Sequence, residues 1–165
     1  MNRTFVSLGS NLGDRFWYLR AAVAALRRGP RLRVVGTSRV YETAPVEVEE
    51  EQPDYLNCVV ELECDVPAVE LLRYCQGIEA ALGREHKGER APRTLDMDVL
   101  LFGEETIEGR ELQVPHAGIM RAFNLRGLAD LDADLYIPER GVVGELLAEI
   151  EGGGIRTFGE ADELC

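Results

Sequence analysis

The sequence predicts an α+β protein in which two helices layer against an antiparallel sheet. Three observations predict it. Strand-like and helix-like segments follow the order β-α-β-β-α-β over the first 102 residues. Gly29-Pro30 and Gly83 punctuate the ends of the two helical segments. The apolar content, 45%, is ordinary for a soluble globule, and 165 residues suffice for one domain with a core.

The elements follow in order. Phe5-Val6-Ser7-Leu8 reads as the first strand, and Gly9-Ser10-Asn11-Leu12-Gly13-Asp14 as a turn whose Asp14 caps the next helix. Leu19, Ala22, Val23 and Leu26 recur at i, i+3, i+4 and i+7, which predicts an amphipathic helix over 14–28. Leu32, Val34, Val35, Val40 and Tyr41 predict a second strand over 32–41. Pro45, Pro53 and five glutamates mark 42–53 as a loop, and Tyr55 to Leu62 is a third strand. Asp65 is a candidate cap, and Pro67 a first-turn residue, for a helix traced by Leu71, Leu72, Cys75, Ile78 and Leu82 and stopped by Gly83. Val99-Leu100-Leu101-Phe102 lies in a fourth strand over about 96–102. This order is the signature of a ferredoxin-like two-layer sandwich, with helices on one sheet face and the other face open to loops and ligands. C-terminal additions follow: Val114-Pro115-His116, a helix over 122–130, a helix over 142–150, and a Gly- and acid-rich tail over 152–165 expected to be poorly ordered. Residues 1–165 are read as a single domain.

Charge narrows the function. The formal net charge is −12, from 30 acidic and 18 basic residues. That argues against nucleic-acid partners and anionic membranes, which need a positive surface. No apolar stretch approaches the length of a membrane span, and no leader is evident. Cys58, Cys64, Cys75 and Cys165 show no metal-ligand spacing, so a cytoplasmic protein with reduced thiols is expected. One local cluster runs against the mean charge: Arg84, His86, Lys87, Arg90 and Arg93 fall within ten positions.

That cluster directly precedes Asp96-Met97-Asp98. Side chains alternate along a strand, so the two aspartates share a face at about 7 Å. Solvation of a strand end is the commoner reason for such a pair, but the neighbouring cations favour a phosphate site. Two hard carboxylates suit Mg²⁺, which takes one or two carboxylates plus substrate phosphates. Arg93 can bind phosphate through two parallel hydrogen bonds. Together they point to phosphoryl-type transfer. Asn57 places an amide inside an apolar strand, where it needs partners. Gly9-Ser10-Asn11-Leu12-Gly13 lacks the Gly-x-x-x-x-Gly-Lys pattern and is read as a structural turn.

Several ordered segments carry a resemblance: Leu8-Gly9-Ser10-Asn11-Leu12-Gly13-Asp14, Tyr41-Glu42-Thr43-Ala44-Pro45, Gln52-Pro53-Asp54-Tyr55-Leu56-Asn57, Gln76-Gly77-Ile78-Glu79, Gly83-Arg84, Pro92-Arg93-Thr94-Leu95-Asp96-Met97-Asp98, Val114-Pro115-His116 and Arg121-Ala122-Phe123. Over about four-fifths of its length the chain resembles the 6-hydroxymethyl-7,8-dihydropterin pyrophosphokinases of folate biosynthesis, which also have a ferredoxin-like fold. The resemblance implies transfer of pyrophosphate from ATP to the pterin hydroxymethyl oxygen, with release of AMP. It implies a pair of Mg²⁺ ions on Asp96 and Asp98, and phosphate contacts from Arg84, Arg93, His116 and Arg121. It places Gln76 and Glu79 near the nucleotide, and Thr43, Pro45, Tyr55, Asn57 and Phe123 around the pterin. A monomer whose partners are these small molecules is the family expectation. The chain departs from the family pattern at Arg90-Ala91-Pro92-Arg93, a shorter segment without the usual aromatic. It departs again where Asn124-Leu125-Arg126-Gly127-Leu128 replaces a more apolar Pro-Leu segment.

Overall fold

Strand β4 (Tyr55–Cys64) is the axis of the sheet. The computed structural model describes residues 1–45, 52–83, 94–150 and 154–164. On one side β4 pairs with β1 (Asn2–Ser10), which pairs in turn with β5 (Asp96–Phe102). Its other side is shared end to end by β2 (Leu32–Thr37) and β3 (Val40–Thr43). β10 (Ile155–Gly159) extends the sheet beyond β3, giving the order β10-β3-β4-β1-β5, antiparallel throughout.

The single strand predicted over 32–41 is therefore two. Ser38 makes the break. Its buried hydroxyl accepts the Val59 N–H at 2.8 Å and donates to the Arg39 carbonyl at 2.8 Å. A side chain here competes with the backbone ladder for its donors. The acid-rich C-terminal segment, expected to be poorly ordered, forms β10 and a 3₁₀ turn over Ala161–Leu164 with Leu164 buried. Strand pairing uses backbone groups whatever the composition, and the Phe158 ring packs 5.9 Å from that of Phe16.

Helices α1 (Arg15–Arg27) and α2 (Ala68–Ala81) cover one face of the sheet. Leu19, Val23, Leu26, Leu71 and Cys75 form one core with Leu8, Cys58, Val60, Leu62 and Met97. Asp14 caps α1 as the sequence predicts, accepting the Trp17 N–H at 3.1 Å. Asp65 does not cap α2: Pro67 is the N-cap rather than a first-turn residue, no side chain caps the helix, and Asp65 lies 3.4 Å from Arg31. Burial of Cys58 pushes its thiol up to about 12, which suits a packing residue.

The opposite face is not left open. The second core cluster joins Phe5, Val59 and Leu101 of the sheet to Leu125 and Leu128 of α3 (Ala122–Asp132) and Val143 of α4 (Val143–Ala148). Gly127 permits this contact, since a Cβ there would lie 2.4 Å from the Val59 methyl. The Tyr41 hydroxyl donates to Asp130 at 2.5 Å and ties α3 to β3. Burial, and then Asp130, push this phenol up to about 12. Two short hairpins, β6 (Ile107–Glu108) with β7 (Gln113–Val114) and β8 (Tyr136–Ile137) with β9 (Gly141–Val142), complete the described residues. No helix among these residues is long and apolar enough to cross a membrane.

Candidate active site

Register decides which side chains meet. Asp98, Ser7 and Val59 form one cross-strand row, and Asp96, Gly9, Asn57 and Tyr41 form the next. Partners in antiparallel strands project to the same face, and so do residues two apart. Val59 meets α3, so both aspartates project to the α3 side of the sheet. Met97 between them is buried in the α1–α2 core.

One cluster of predicted residues lies on β3 and β4. Thr43 pairs with Tyr55, and the Asn57 amide donates to the Thr43 hydroxyl at 2.7 Å. Thr43 and Asn57 are buried, whereas Tyr55 and Pro45 are half-buried. Gly9 lies beside Asn57 and leaves the floor of this corner open. A Cβ there would stand 3.0 Å from Asn57 Oδ1 and 3.5 Å from the Tyr55 ring. The sequence reading gave Gly9 only a turn role, because its cross-strand neighbour is invisible without the register.

The stems flanking this cluster are held by ions that sequence reasoning missed. Arg15 donates to Glu42 at 2.8 Å and to the Asp54 carbonyl at 2.9 Å. Arg156 of β10 donates to the same Glu42 at 2.6 Å and to the Asp54 carboxylate at 3.2 Å. The hydrogen bond from Arg15 holds the Glu42 carboxyl below the ordinary carboxylate range. Asn11 of the predicted turn donates to Gln52 at 3.0 Å and to the Pro53 carbonyl at 3.2 Å. No local pattern signals these contacts, which join residues 27 to 114 positions apart.

A second cluster surrounds the aspartates. Glu79 of α2 is 3% exposed, and its carboxylate accepts the Met97 N–H at 2.9 Å. It thus holds the outer edge of β5 midway between Asp96 and Asp98. Gln76, one helical turn earlier, is exposed and is not brought into this arrangement. His116 is hooked to β5 by its N–H, which donates to the Leu100 carbonyl at 3.0 Å. Its Nδ1 accepts the Gly118 N–H at 2.9 Å, and its Nε2 lies 3.5 Å from Asp98. With Nδ1 accepting, the neutral ring carries its proton on Nε2, toward Asp98. A cavity of about 250 Å³ opens beside Asp98 and His116, walled by Leu72 and Val99, which the sequence marked only as packing residues, and by Arg110, Leu112 and Gln113, which it did not single out. Arg121 is exposed at the start of α3, and Phe123 is half-buried in its first turn. The predicted Arg84 and Arg93 lie outside the described residues.

Among the described residues no three His, Cys, Asp or Glu side chains converge into a complete metal cage. Two carboxylates on one face instead suit a hard cation that draws further oxygens from a phosphorylated substrate.

Residues 5–133 match the model of the family 7,8-dihydro-6-hydroxymethylpterin-pyrophosphokinase (HPPK). The chain is 44% identical over 131 residues to the 2-amino-4-hydroxy-6-hydroxymethyldihydropteridine pyrophosphokinase of Bacillus subtilis, covering 79% of this chain and 78% of that one. It is 39% identical over 159 residues to the protein of the same name from Pseudomonas aeruginosa, covering 96% and 98%. Its fold is similar to that of a Plasmodium falciparum HPPK-DHPS crystal structure, with a TM-score of 0.71 at 14% identity over 89% of this chain. The chain spans less than half, 45%, of that longer protein. Matched along most of its length by the family model and by relatives above 30% identity, the chain belongs to the 7,8-dihydro-6-hydroxymethylpterin-pyrophosphokinase family.

Proposed function

We propose that this protein transfers the pyrophosphoryl group of ATP to the hydroxymethyl oxygen of 6-hydroxymethyl-7,8-dihydropterin, releasing AMP, in folate biosynthesis. It acts as a single domain over residues 1–165, as a monomer in the cytoplasm. The observation that carries this reading is one cross-strand row. Asp96 and Asn57 stand on the same face with Gly9 between them. Two strand spacings separate them by about 10 Å. That span fits a flat bicyclic ring at Asn57 with its hydroxymethyl group reaching toward the aspartates. The ferredoxin-like reading rests on sheet order: with β2 and β3 counted as one interrupted strand, the order is fourth, first, third, second.

Each residue then has a role. Asn57 and Thr43 read the polar edge of the pterin, since an amide both donates and accepts. Tyr55 and Phe123 cover the ring faces, and Pro45 closes the rim. The nucleoside end of ATP lies in the cavity between Leu72, Val99 and Leu112, next to α2 with Gln76 and Glu79. Asp96 and Asp98 would hold two Mg²⁺ ions, since their hard oxygens and shared face fit that ion. When bound, Mg²⁺ neutralises the triphosphate and orients it. His116 and Arg121 donate to phosphate oxygens. Arg84 and Arg93 stabilise the charge that grows as the pterin oxygen attacks the β-phosphorus and AMP departs; donors of this kind are worth roughly 10²–10³ in rate each.

The test is AMP formation from ATP, Mg²⁺ and 6-hydroxymethyl-7,8-dihydropterin, with an Asp96→Ala, Asp98→Ala double variant as control. Pterin-dependent AMP that vanishes in the folded control is the expected result. A folded wild-type protein that makes no pterin-dependent AMP overturns the proposal.

A further inference from the structure

We infer that Asn124 is a positioning residue for His116, acting through Gly118. Asn124 lies in the first turn of α3 and is 3% exposed. Its amide N–H donates to the Gly118 carbonyl at 2.8 Å. Its own Oδ1 is buried and has no hydrogen-bond partner among the described residues. A buried, unsatisfied amide oxygen costs stability, so an apolar residue of similar shape would serve packing at least as well. Nor does Gly118 need Asn124 for satisfaction, because its carbonyl also accepts the Arg121 N–H at 3.1 Å. The contact therefore adds something other than pairing.

What it adds is a second, side-chain hold on the backbone of a glycine that the Arg121 N–H also anchors. Glycine has the widest conformational range of any residue. Here that freedom sits directly against the imidazole, since a Cβ on Gly118 would stand 3.3 Å from His116 Nδ1. The Gly118 N–H is the group that donates to Nδ1 and so leaves the ring proton on Nε2. Asn124 pins Gly118, Gly118 sets the tautomer and direction of the ring, and Nε2–H faces the Asp98 side of the site. A hydrogen bond to the group behind a donor keeps that donor aimed. That this aim serves ATP phosphate rests on the function proposed above; the geometry of the ring does not.

The experiment uses Asn124→Leu and the isosteric Asn124→Asp, which both lack the donor. Nitrogen-15 spectra of the imidazoles are recorded on the ligand-free protein. The wild-type His116 signal is expected as the Nε2–H tautomer, and both variants are expected to show a tautomer mixture. Asn124→Leu is expected to melt no lower than wild type, because it removes an orphaned polar atom. In the AMP assay its KM for ATP is expected to rise about tenfold, the scale of one lost hydrogen bond. In a His116→Ala background the same substitution is expected to have no further effect. An unchanged tautomer in both variants, or an Asn124→Leu effect that persists without His116, overturns the inference. If the wild type makes no AMP, the proposed function fails while the tautomer spectra still decide the role of Asn124.

Discussion

Glu79 offers the sharpest separation between a residue that touches substrate and one that shapes the site. Family resemblance places it near the nucleotide, whereas its carboxylate accepts the Met97 N–H at 2.9 Å at 3% exposure. Met97 sits between the two aspartates, on the strand at the sheet edge. Glu79→Ala strands this buried N–H, a loss of about 1–3 kcal/mol. At roughly 2–4 °C per kcal/mol for a domain of this size, the melting midpoint should fall by about 2–12 °C. Glu79→Gln keeps an acceptor oxygen at the same reach and should hold the midpoint closer to wild type. Calorimetry on both variants, with kcat and KM for ATP from the AMP assay, reads this out. Under the edge-holding role, kcat drops with Glu79→Ala because the carboxylates of Asp96 and Asp98 lose their register, and Glu79→Gln recovers most of it. Equal midpoints for all three proteins, with KM for ATP raised alike in both variants, would overturn the edge-holding role and make Glu79 a nucleotide contact.

Three further outcomes follow from the geometry. Gly9→Ala puts a Cβ 3.0 Å from Asn57 Oδ1, so Asn57 must give by a few tenths of an ångström and strain its bond to Thr43; the KM for the pterin should rise while that for ATP stays, measured in the same assay. Arg156→Ala removes one of the two cations on Glu42 and Asp54, and should raise the pterin KM at low salt with little effect at high salt, because an exposed pair is screened. Tyr41 is raised above its ordinary value to about 12, so the folded chain keeps the phenol proton where the unfolded chain loses it. The stability this gives is complete below pH ~10 and is lost as pH rises from there toward 12. Tyr41→Phe should remove that alkaline loss in urea titrations across the window, and an unchanged slope would refute the assignment.

Local pattern made most elements legible. The helix over 14–28, with its Asp14 cap, required only the i, i+3, i+4 spacing and one polar residue before it. The fourth strand required only its continuous apolar run, and the shared face of its Asp pair only the alternation of side chains along a strand. The break at Ser38 was hidden, because the hydroxyl that makes it finds its partner at Val59 on another strand. The two-sided covering of the sheet was hidden as well. The helix over 122–130 was visible, but its docking against β4 through Gly127 depends on where the chain returns. The C-terminal strand was misread because composition describes solvent preference, while pairing with β3 is decided by an available backbone edge.

For the candidate site, the chemistry is legible in the chain: two aspartates on one face of a strand, a basic segment before them, and an amide inside an apolar strand. These follow from residue type and from periodicity along one segment. The packing of the elements supplies the geometry that brings these candidate residues together. It set Asp96, Gly9 and Asn57 in a single row, placed Glu79 against the Met97 N–H, and turned Nε2 of His116 toward Asp98. Each of these contacts joins residues far apart in the chain, and hydrogen-bond register and packing between elements fix them. A one-dimensional pattern carries the period of each element, and the offset between elements is set only when they pack.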